Sequence, residues 1–311
     1  MEIKKVYPSD FDKVYELLQR FENTSLKKED FRKLFTLYWP CSLQHCGLMM
    51  EDNGKVIAYL GVIFSDRVID GVNHVFGNLT TLIIDPAYRG QKLTHKIVQH
   101  LRDSGNYVLT AITPIPPLYN MYKQSGFRDL SDFRKILWRT GSMSPSINYT
   151  EEAPVLQAKL QGEAARIYKD HAPFNGVHTL YEADGQQAYM IFKKRSSHRR
   201  KFLDVRLLNY ADRALRMLGL KGFLHKEMVV YELLYCSNYA FAAQQLKPIL
   251  QSFLSKHDCA GVGVPLWFWN KLQPTWFPVT TYYHSRQMVY ANGLPDEAID
   301  VLYSEIFVLD L

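Results

Sequence analysis

No apolar run in this sequence approaches the length that a bilayer-spanning helix needs, so no helical membrane anchor is expected. Cysteine is scarce. Cys41, Cys46, Cys236 and Cys259 are the only four in 311 residues, too few for a disulfide framework and suited to free thiols in a reducing compartment. Cys41 and Cys46 flank His45, but no second ligand pair stands at zinc spacing; no metal is expected there, and the group reads as small buried residues. A strong charge of one sign is also missing. The net charge of +6 suits an anionic ligand without implying nucleic acid. The opening Met1-Glu2-Ile3-Lys4-Lys5 has no apolar core of a signal peptide, and the expected compartment is the cytoplasm.

With 47% apolar and 22% charged residues, the balance is globular and leaves little room for disorder. The length is comfortable for two domains. A strand is expected over Glu2–Tyr7, then a helix from Asp10 to about Glu22 capped by Ser9, then a helix from Lys28 to about Trp39. Leu48–Glu51 and Lys55–Phe64 flank the turn Asp52-Asn53-Gly54 and predict a hairpin. A strand over Asn78–Ile84 leads through a turn to a helix over about Lys92–Asp103. Tyr107–Ile112 reads as a strand, Pro117–Lys123 as a helix and Phe133–Trp138 as a strand. The fold class is α/β (α+β), a mixed central sheet flanked by helices.

Residues 141–153, rich in Ser, Pro and Thr, read as a linker between a domain over 1–140 and another over 154–311. The second half is expected to hold a helix over Pro154–Lys169, a hairpin at Asp184-Gly185 and a helix around Phe202–Leu218. There follow a strand over Met228–Tyr235, a helix over Ala240–Lys256, strands over Gly261–Val264 and near Val279–Tyr283, and a tail that turns from helix into a last strand. That order parallels the first half; the alternative is an unrelated α+β domain. The basic run from Lys193 to Lys201 reads as a solvated loop, with attraction of a phosphate as the functional alternative. Pro265-Leu-Trp-Phe-Trp-Asn270, with Trp276 and Phe277, is a substrate-stacking or interface cluster.

The segment Asn78-Leu-Thr-Thr-Leu-Ile-Ile-Asp85-Pro-Ala-Tyr-Arg89-Gly-Gln-Lys-Leu-Thr94 runs an apolar strand into Asp-Pro and then into an amphipathic helix. Proline ends the strand, and the first turn of the helix exposes unpaired N–H groups at the positive end of its dipole. Such a turn binds anions, and Arg89 or Lys92 adds charge. This segment resembles the acetyl-CoA signature of the GNAT (Gcn5-related N-acetyltransferase) superfamily. Arg89-Gly90-Gln91 matches its commonest form, while Lys92 and Thr94 stand where the family usually has glycines. Pro117-Leu-Tyr119-Asn-Met-Tyr122-Lys-Gln-Ser-Gly126-Phe127 resembles a second hallmark, a helix ending in Tyr-x-x-x-Gly-Phe.

The resemblance covers about the first 140 residues and implies a set of roles. Arg89, Gly90, Gln91, Lys92, Leu93 and Thr94 would hold the diphosphate of acetyl-CoA or another acyl-CoA, and Leu82, Ile83 and Ile84 the pantetheine arm. Tyr122 would protonate the departing thiolate, with Tyr119 one turn earlier as its rival. The strand has Asn78, Thr80 and Thr81 where a carboxylate base is common. His74 or Asp70 could serve as base, or a water held by Asn78 and Thr80, which are also the acceptor-binding candidates. The second half carries no Arg-Gly-Gln turn; as a degenerate GNAT-like domain it would shape the acceptor site. The implied function is acyl transfer, acetyl foremost, to an amine of a small metabolite or amino sugar. A non-catalytic acyl-CoA sensor and a protein-interaction module are the rivals.

Overall fold

The computed structural model describes residues 1–21, 26–112, 114–130, 133–141, 144–203, 206–219, 224, 226–271, 278–283, 287–291 and 293–310. They divide into two units, Met1–Leu130 with Arg286–Leu311 and Ser131–Ser285. In the first, the chain runs β1 (Glu2–Lys5), α1 (Phe11–Leu18), α2 (Lys28–Lys33), β2 (Gly47–Asp52), β3 (Lys55–Ile69), β4 (Val72–Ile84), α3 (Leu93–Asp103), β5 (Tyr107–Ala111), α4 (Pro116–Gln124) and β6 (Arg128–Leu130). The second unit begins with β7 (Phe133–Trp138), β8 (Asn148–Thr150), α5 (Ala153–Lys159), α6 (Gly162–His171), β9 (Val177–Ala183), β10 (Gln186–His198), α7 (Arg199–Phe202) and α8 (Arg206–Met217). It ends with β11 (Glu227–Cys236), α9 (Tyr239–Gln244), α10 (Leu246–Lys256), β12 (Gly261–Pro265), α11 (Leu266–Trp269) and β13 (Val279–Tyr283). The chain then re-enters the first unit as β14 (Gln287–Tyr290) and α12 (Glu305–Val308).

Each unit is built on a seven-stranded sheet, ordered β1-β2-β3-β4-β5-β14-β6 in the first and β8-β9-β10-β11-β12-β7-β13 in the second. In both, the first four strands are antiparallel and the fifth joins the fourth in parallel. The sixth strand lies antiparallel to both neighbours and comes from the opposite end of the chain: β14 pairs with β5 and β6, and β7 pairs with β12 and β13. The expected boundary at 140 therefore falls ten residues earlier, at 130, and the C-terminal 286–311 returns to the first unit. Local pattern located β7 correctly but could not say which sheet it joins.

Three hairpins are closed by two-residue turns in which both residues have positive φ: Asn53-Gly54, Asp70-Gly71 and Asp184-Gly185. That geometry matches the strand twist and explains why Asn or Asp precedes glycine each time. The Asp70-Gly71 hairpin extends β3 and β4 well beyond their expected ends. One face of the first sheet packs Leu60, Leu79 and Leu109 against Ile97 and Leu101 of α3 and Tyr122 of α4. Phe11 of α1 meets Phe35, just past α2, edge-on at 5.1 Å, and Phe35 stacks on Tyr59 at 5.3 Å.

Several expectations are corrected. Within the expected linker, Asn148–Thr150 is the edge strand β8; Ser142 and Met143 lie outside the described residues. The basic run is mostly strand β10, and Lys193 is buried with its ammonium donating to the Asn175 carbonyl at 2.9 Å. The tail forms the short α12, and the unforeseen strand is β14, ahead of it. Asp10, not Ser9, closes the turn before α1 by accepting the Tyr7 N–H at 2.8 Å; Glu22 lies outside the described residues. The helix expected over 28–39 stops at Lys33, and that over 154–169 breaks before Gly162, which takes φ +55°. In the aromatic cluster Phe268 is core, while Trp276 and Phe277 lie outside the described residues.

Candidate active site

The second half of β4 departs from regular pairing on both sides. Leu60 faces Leu82 while Val62 faces Leu79, so Thr80 and Thr81 together oppose Gly61 in a bulge. Glycine is required there: a Cβ would lie 2.4 Å from Thr80 Oγ1. On the other side the parallel pairing with β5 ends at Leu79 and Ala111. Past that point the two strands part, and among the described residues the β5-side edge of β4 from Thr80 to Ile84 has no strand partner. The buried Thr80 hydroxyl has no hydrogen-bond partner among the described residues.

The strand ends in a turn fixed by Asp85. Its N–H donates to the Ile57 carbonyl at 2.8 Å, and its carboxylate accepts from the Ala87 N–H at 3.1 Å, Arg20 at 2.9 Å and Lys55 at 2.7 Å. The hydrogen bond from Lys55 holds the Asp85 carboxyl below its ordinary value, against the opposing effect of burial. Gly90 then takes φ +84° and Lys92 φ +58°, both left-handed. Glycine adopts this freely, whereas in lysine it is strained by about 1 kcal/mol. Lys92 makes no side-chain capping bond to α3, whose ladder begins with the Lys96 N–H to the Lys92 carbonyl at 3.2 Å. The N–H groups of Leu93, Thr94 and His95 thus lie outside the ladder at the positive helix end.

Two adjoining cavities, of about 340 and 300 Å³, share Ile84, Arg89, Thr94 and Leu118 as lining. The first also touches Gly90 and Lys92, the second Leu82 and Ile83. An apolar strand edge leading to a cationic turn with open amides fits a pantetheine arm and a diphosphate. The structure thus brings together Leu82, Ile83, Ile84, Arg89, Gly90, Lys92, Leu93 and Thr94; Gln91 is exposed within the same turn.

Tyr122 lies on α4, whose C-terminal turn closes with Gly126 at φ +84° and the Phe127 N–H on the Tyr122 carbonyl at 3.0 Å. Its ring is buried 4.9 Å from that of Phe127. Burial first, and then the negative charge of Glu305, push its phenol well above the ordinary value. Tyr119 is half-buried one turn earlier, with Lys123 over its ring at 5.7 Å.

Other candidates lie elsewhere or do other work. His74 is paired with Arg67 at the opposite end of β4, six residues before Thr80, about 20 Å away at strand rise. Asp70 is farther still, in the hairpin turn. Neither reaches this site. Asn78 is 2% exposed; its amide donates to Thr110 Oγ1 at 3.2 Å and its oxygen accepts the Glu305 N–H at 3.2 Å. An anchor between β4, β5 and α12 is therefore what Asn78 provides. The bulge, the parting of the strands and the approach of Glu305 escaped the sequence reading. Gly61 within an apolar strand was the only local sign of the bulge.

Comparison with known proteins bears on the family and the fold. The profile of the acetyltransferase (GNAT) family matches residues 11–127. A comparison with curated proteins finds no match. Among solved structures, a GCN5-related N-acetyltransferase from Anabaena variabilis is similar, with a TM-score of 0.53 at 12% identity over 93% of this chain and 72% of that one. Another, from Kribbella flavida, gives 0.54 at 12% identity over 93% and 70%. A probable N-acyltransferase from Enterococcus faecalis gives 0.51 at 13% identity over 93% and 72%. At such identities the likeness is one of fold. Residues 11–127 thus match the acetyltransferase (GNAT) family, which uses acetyl-CoA.

Proposed function

We propose that the first unit transfers an acyl group, acetyl foremost, directly from CoA to a primary amine of a small molecule such as an amino sugar, in the cytoplasm. The observation that carries this reading is the open edge of β4 leading into a cationic, side-chain-uncapped helix start. The thioester supplies an electrophilic carbonyl and a sulfur leaving group. The remaining roles fall to the chain itself. Main-chain groups of Leu82, Ile83 and Ile84 orient the arm along the strand edge. The amides of Leu93 to His95, with Arg89 and Lys92, hold the diphosphate. Apolar side chains around Ile84 and Leu118 exclude water and strengthen each polar contact. Tyr122 holds a proton at Oη: burial keeps the phenol protonated at rest, and the proton is returned to the expelled thiolate as it forms.

The second reading, an acyl-CoA sensor, is favoured by Lys92 and Thr94 at the glycine positions and by the absence of a carboxylate on β4 between Val72 and Ile84. Calorimetric titration of acetyl-CoA into the whole chain, beside an Arg89→Ala, Lys92→Glu variant of unchanged thermal stability, tests both. Binding near micromolar strength, about −8 kcal/mol, weakened at least ~10-fold in the variant by loss of charge-assisted contacts, supports the cofactor turn. Consumption of acetyl-CoA with an amine then separates enzyme from sensor. No heat with acetyl-CoA or longer acyl-CoA removes both readings.

A further inference from the structure

Glu305 is a carboxylate that the fold ties to β4 close to where β4 and β5 part: its main-chain N–H donates to Asn78. Along β4 and β5 side chains alternate between faces: Leu79, Leu109 and Ala111 pack toward α3, so Asn78 and Thr110 point to the opposite face. There Asn78 fixes the main chain of Glu305 one register before the last pair that holds the strands together. Tyr122 approaches from the α3 side, and the negative charge of Glu305 is still felt at its phenol. Glu305 is thus held by its main chain on one face of the sheet, close to where the strands part, while Tyr122 packs on the other.

The segment that presents Glu305 is held firmly. Arg67, 6% exposed, grips Asp300 with two bonds of 2.9 and 2.7 Å, and Asp300 also accepts the Leu302 N–H at 3.0 Å. The Arg67 guanidinium lies 4.8 Å from the ring of Tyr303, which meets Trp39 edge-on at 5.0 Å. Ser304 caps α12 by accepting the Ile306 N–H at 3.3 Å. Phe307 and Val308 are buried, while the side chain of Glu305 itself is half-buried. A carboxylate on a rigid mount, partly open, beside a strand that supplies none of its own, is placed for chemistry.

We propose that Glu305 is the acceptor-side catalytic residue: its carboxylate holds the ammonium of a cationic primary amine and takes a proton from it. The inference rests on the acyl-transfer reading above and names the substrate class, an amine that is protonated at neutral pH. The balance is as follows. One proton passes from the ammonium to Glu305, freeing the nitrogen lone pair. The N–C bond forms, the C–S bond breaks, and the electron pair stays on sulfur. Tyr122 gives its proton to sulfur and regains one from the acylated nitrogen, and Glu305 releases its own to solvent. The products are an amide, CoA thiol and one proton.

The test uses the whole chain and three amines, glucosamine, tyramine and putrescine, with Glu305→Gln and Glu305→Asp variants. The contact of residue 305 with Asn78 is through its main-chain N–H, so Gln preserves the mount and removes only the charge. Acetyl-CoA affinity of Glu305→Gln is expected to stay within ~2-fold of the parent. Calorimetric affinity for the accepted amine, measured with CoA present, is expected to fall ~10-fold or more, and kcat ~100-fold or more. Asp should recover part of kcat. Unchanged amine affinity and kcat in Glu305→Gln overturn the proposal, as does wild-type protein that binds acetyl-CoA but neither binds nor acetylates any of the three amines. Loss of acetyl-CoA binding by the parent itself instead overturns the acyl-transfer reading on which it rests.

Discussion

The two units share one strand order and even one irregularity, yet the helix that follows the irregular strand starts without a side-chain cap in the first unit and with one in the second. In the second sheet Tyr235 faces Ile191 while Leu233 faces Phe192, so β11 carries an extra residue at Leu234, as β4 does at Thr80 and Thr81. Past the bulge the units diverge. After β4 come Gly90, a left-handed Lys92 and an eleven-residue helix with no side-chain cap. After β11, Ser237 is bound to Tyr189 by two hydrogen bonds of 2.9 Å, and Asn238 caps the six-residue α9 by accepting the Phe241 N–H at 3.1 Å. One helix start has no side-chain cap; the other is capped by Asn238. The strands differ too. Two residues before its bulge β11 has Glu232, buried and paired with Arg134 at 3.7 Å and Arg195 at 3.6 Å, where β4 has the neutral Asn78. A shared topology fixes where a site can form, while the capping and charge of one turn and one strand position decide whether it does.

The exchange of sixth strands gives the largest expected effect. Ending the chain after residue 285 removes β14 and α12 from the first unit. Met288, Val289 and Leu302 are wholly buried there, and Ile306 and Phe307 nearly so. At roughly 1.5–3 kcal/mol per buried side chain the loss is on the order of 10 kcal/mol, comparable with the whole stability of a domain. Hydrogen exchange should find β5 and β6 unprotected while β9 to β11 stay protected. Protected β5 and β6 in the shortened chain would break the comparison at its root, since those strands would have no need of β14.

Acid should separate the units next. Burial first, and then the charge of His171, pull His178 of β9 down to about 4. It is neutral in the fold and has an ordinary value of 6.5 in the unfolded chain, so protonation favours unfolding. Its contribution is complete above pH 6.5 and is lost as the pH falls toward 4, at most roughly 3 kcal/mol. In the first unit Asp85 is depressed below an ordinary 3.8, and its contribution fails only below that. A His178→Phe variant, less stable at neutral pH through loss of the 2.7 Å bond to Tyr189, should show a flatter melting profile between pH 6.5 and 4. An unchanged slope would mean that His178 is not the source.

How far the sequence revealed this molecule follows from the range of each interaction. The Arg89-Gly90 turn, the Gly126-Phe127 cap and the Asp-Gly or Asn-Gly hairpins are written within a few residues, and the pattern exposed their place. Glycine with the helix and strand around it was enough. β14 joining β5 and β6, and Glu305 reaching Asn78 across 227 positions, depend on pairings that no local periodicity encodes. His74 illustrates the converse failure. It has the appropriate chemistry and the appropriate strand, but the long Asp70-Gly71 hairpin carries it to the wrong end.

The smallest expected effect concerns Lys92, where the two demands on the open turn pull in opposite directions. At φ +58° a lysine is strained, and glycine should raise the stability of the first unit by up to about 1 kcal/mol. The same change removes a cation from the cavity that Arg89, Gly90 and Thr94 also line, and should weaken acetyl-CoA binding several-fold, about 1 kcal/mol. Lys92→Gly is therefore expected to melt later without ligand, and to gain less from saturating acetyl-CoA than the parent does. Lys92→Ala isolates the charge, since it keeps the backbone strain: it should lose affinity without the gain in stability. If glycine instead tightens binding, close approach of the diphosphate to the backbone outweighs the ammonium, and the lysine holds the site back from its full affinity. That result would sharpen the contrast with the second unit, where Asn238 closes the corresponding turn with a side chain rather than leaving its backbone to a ligand.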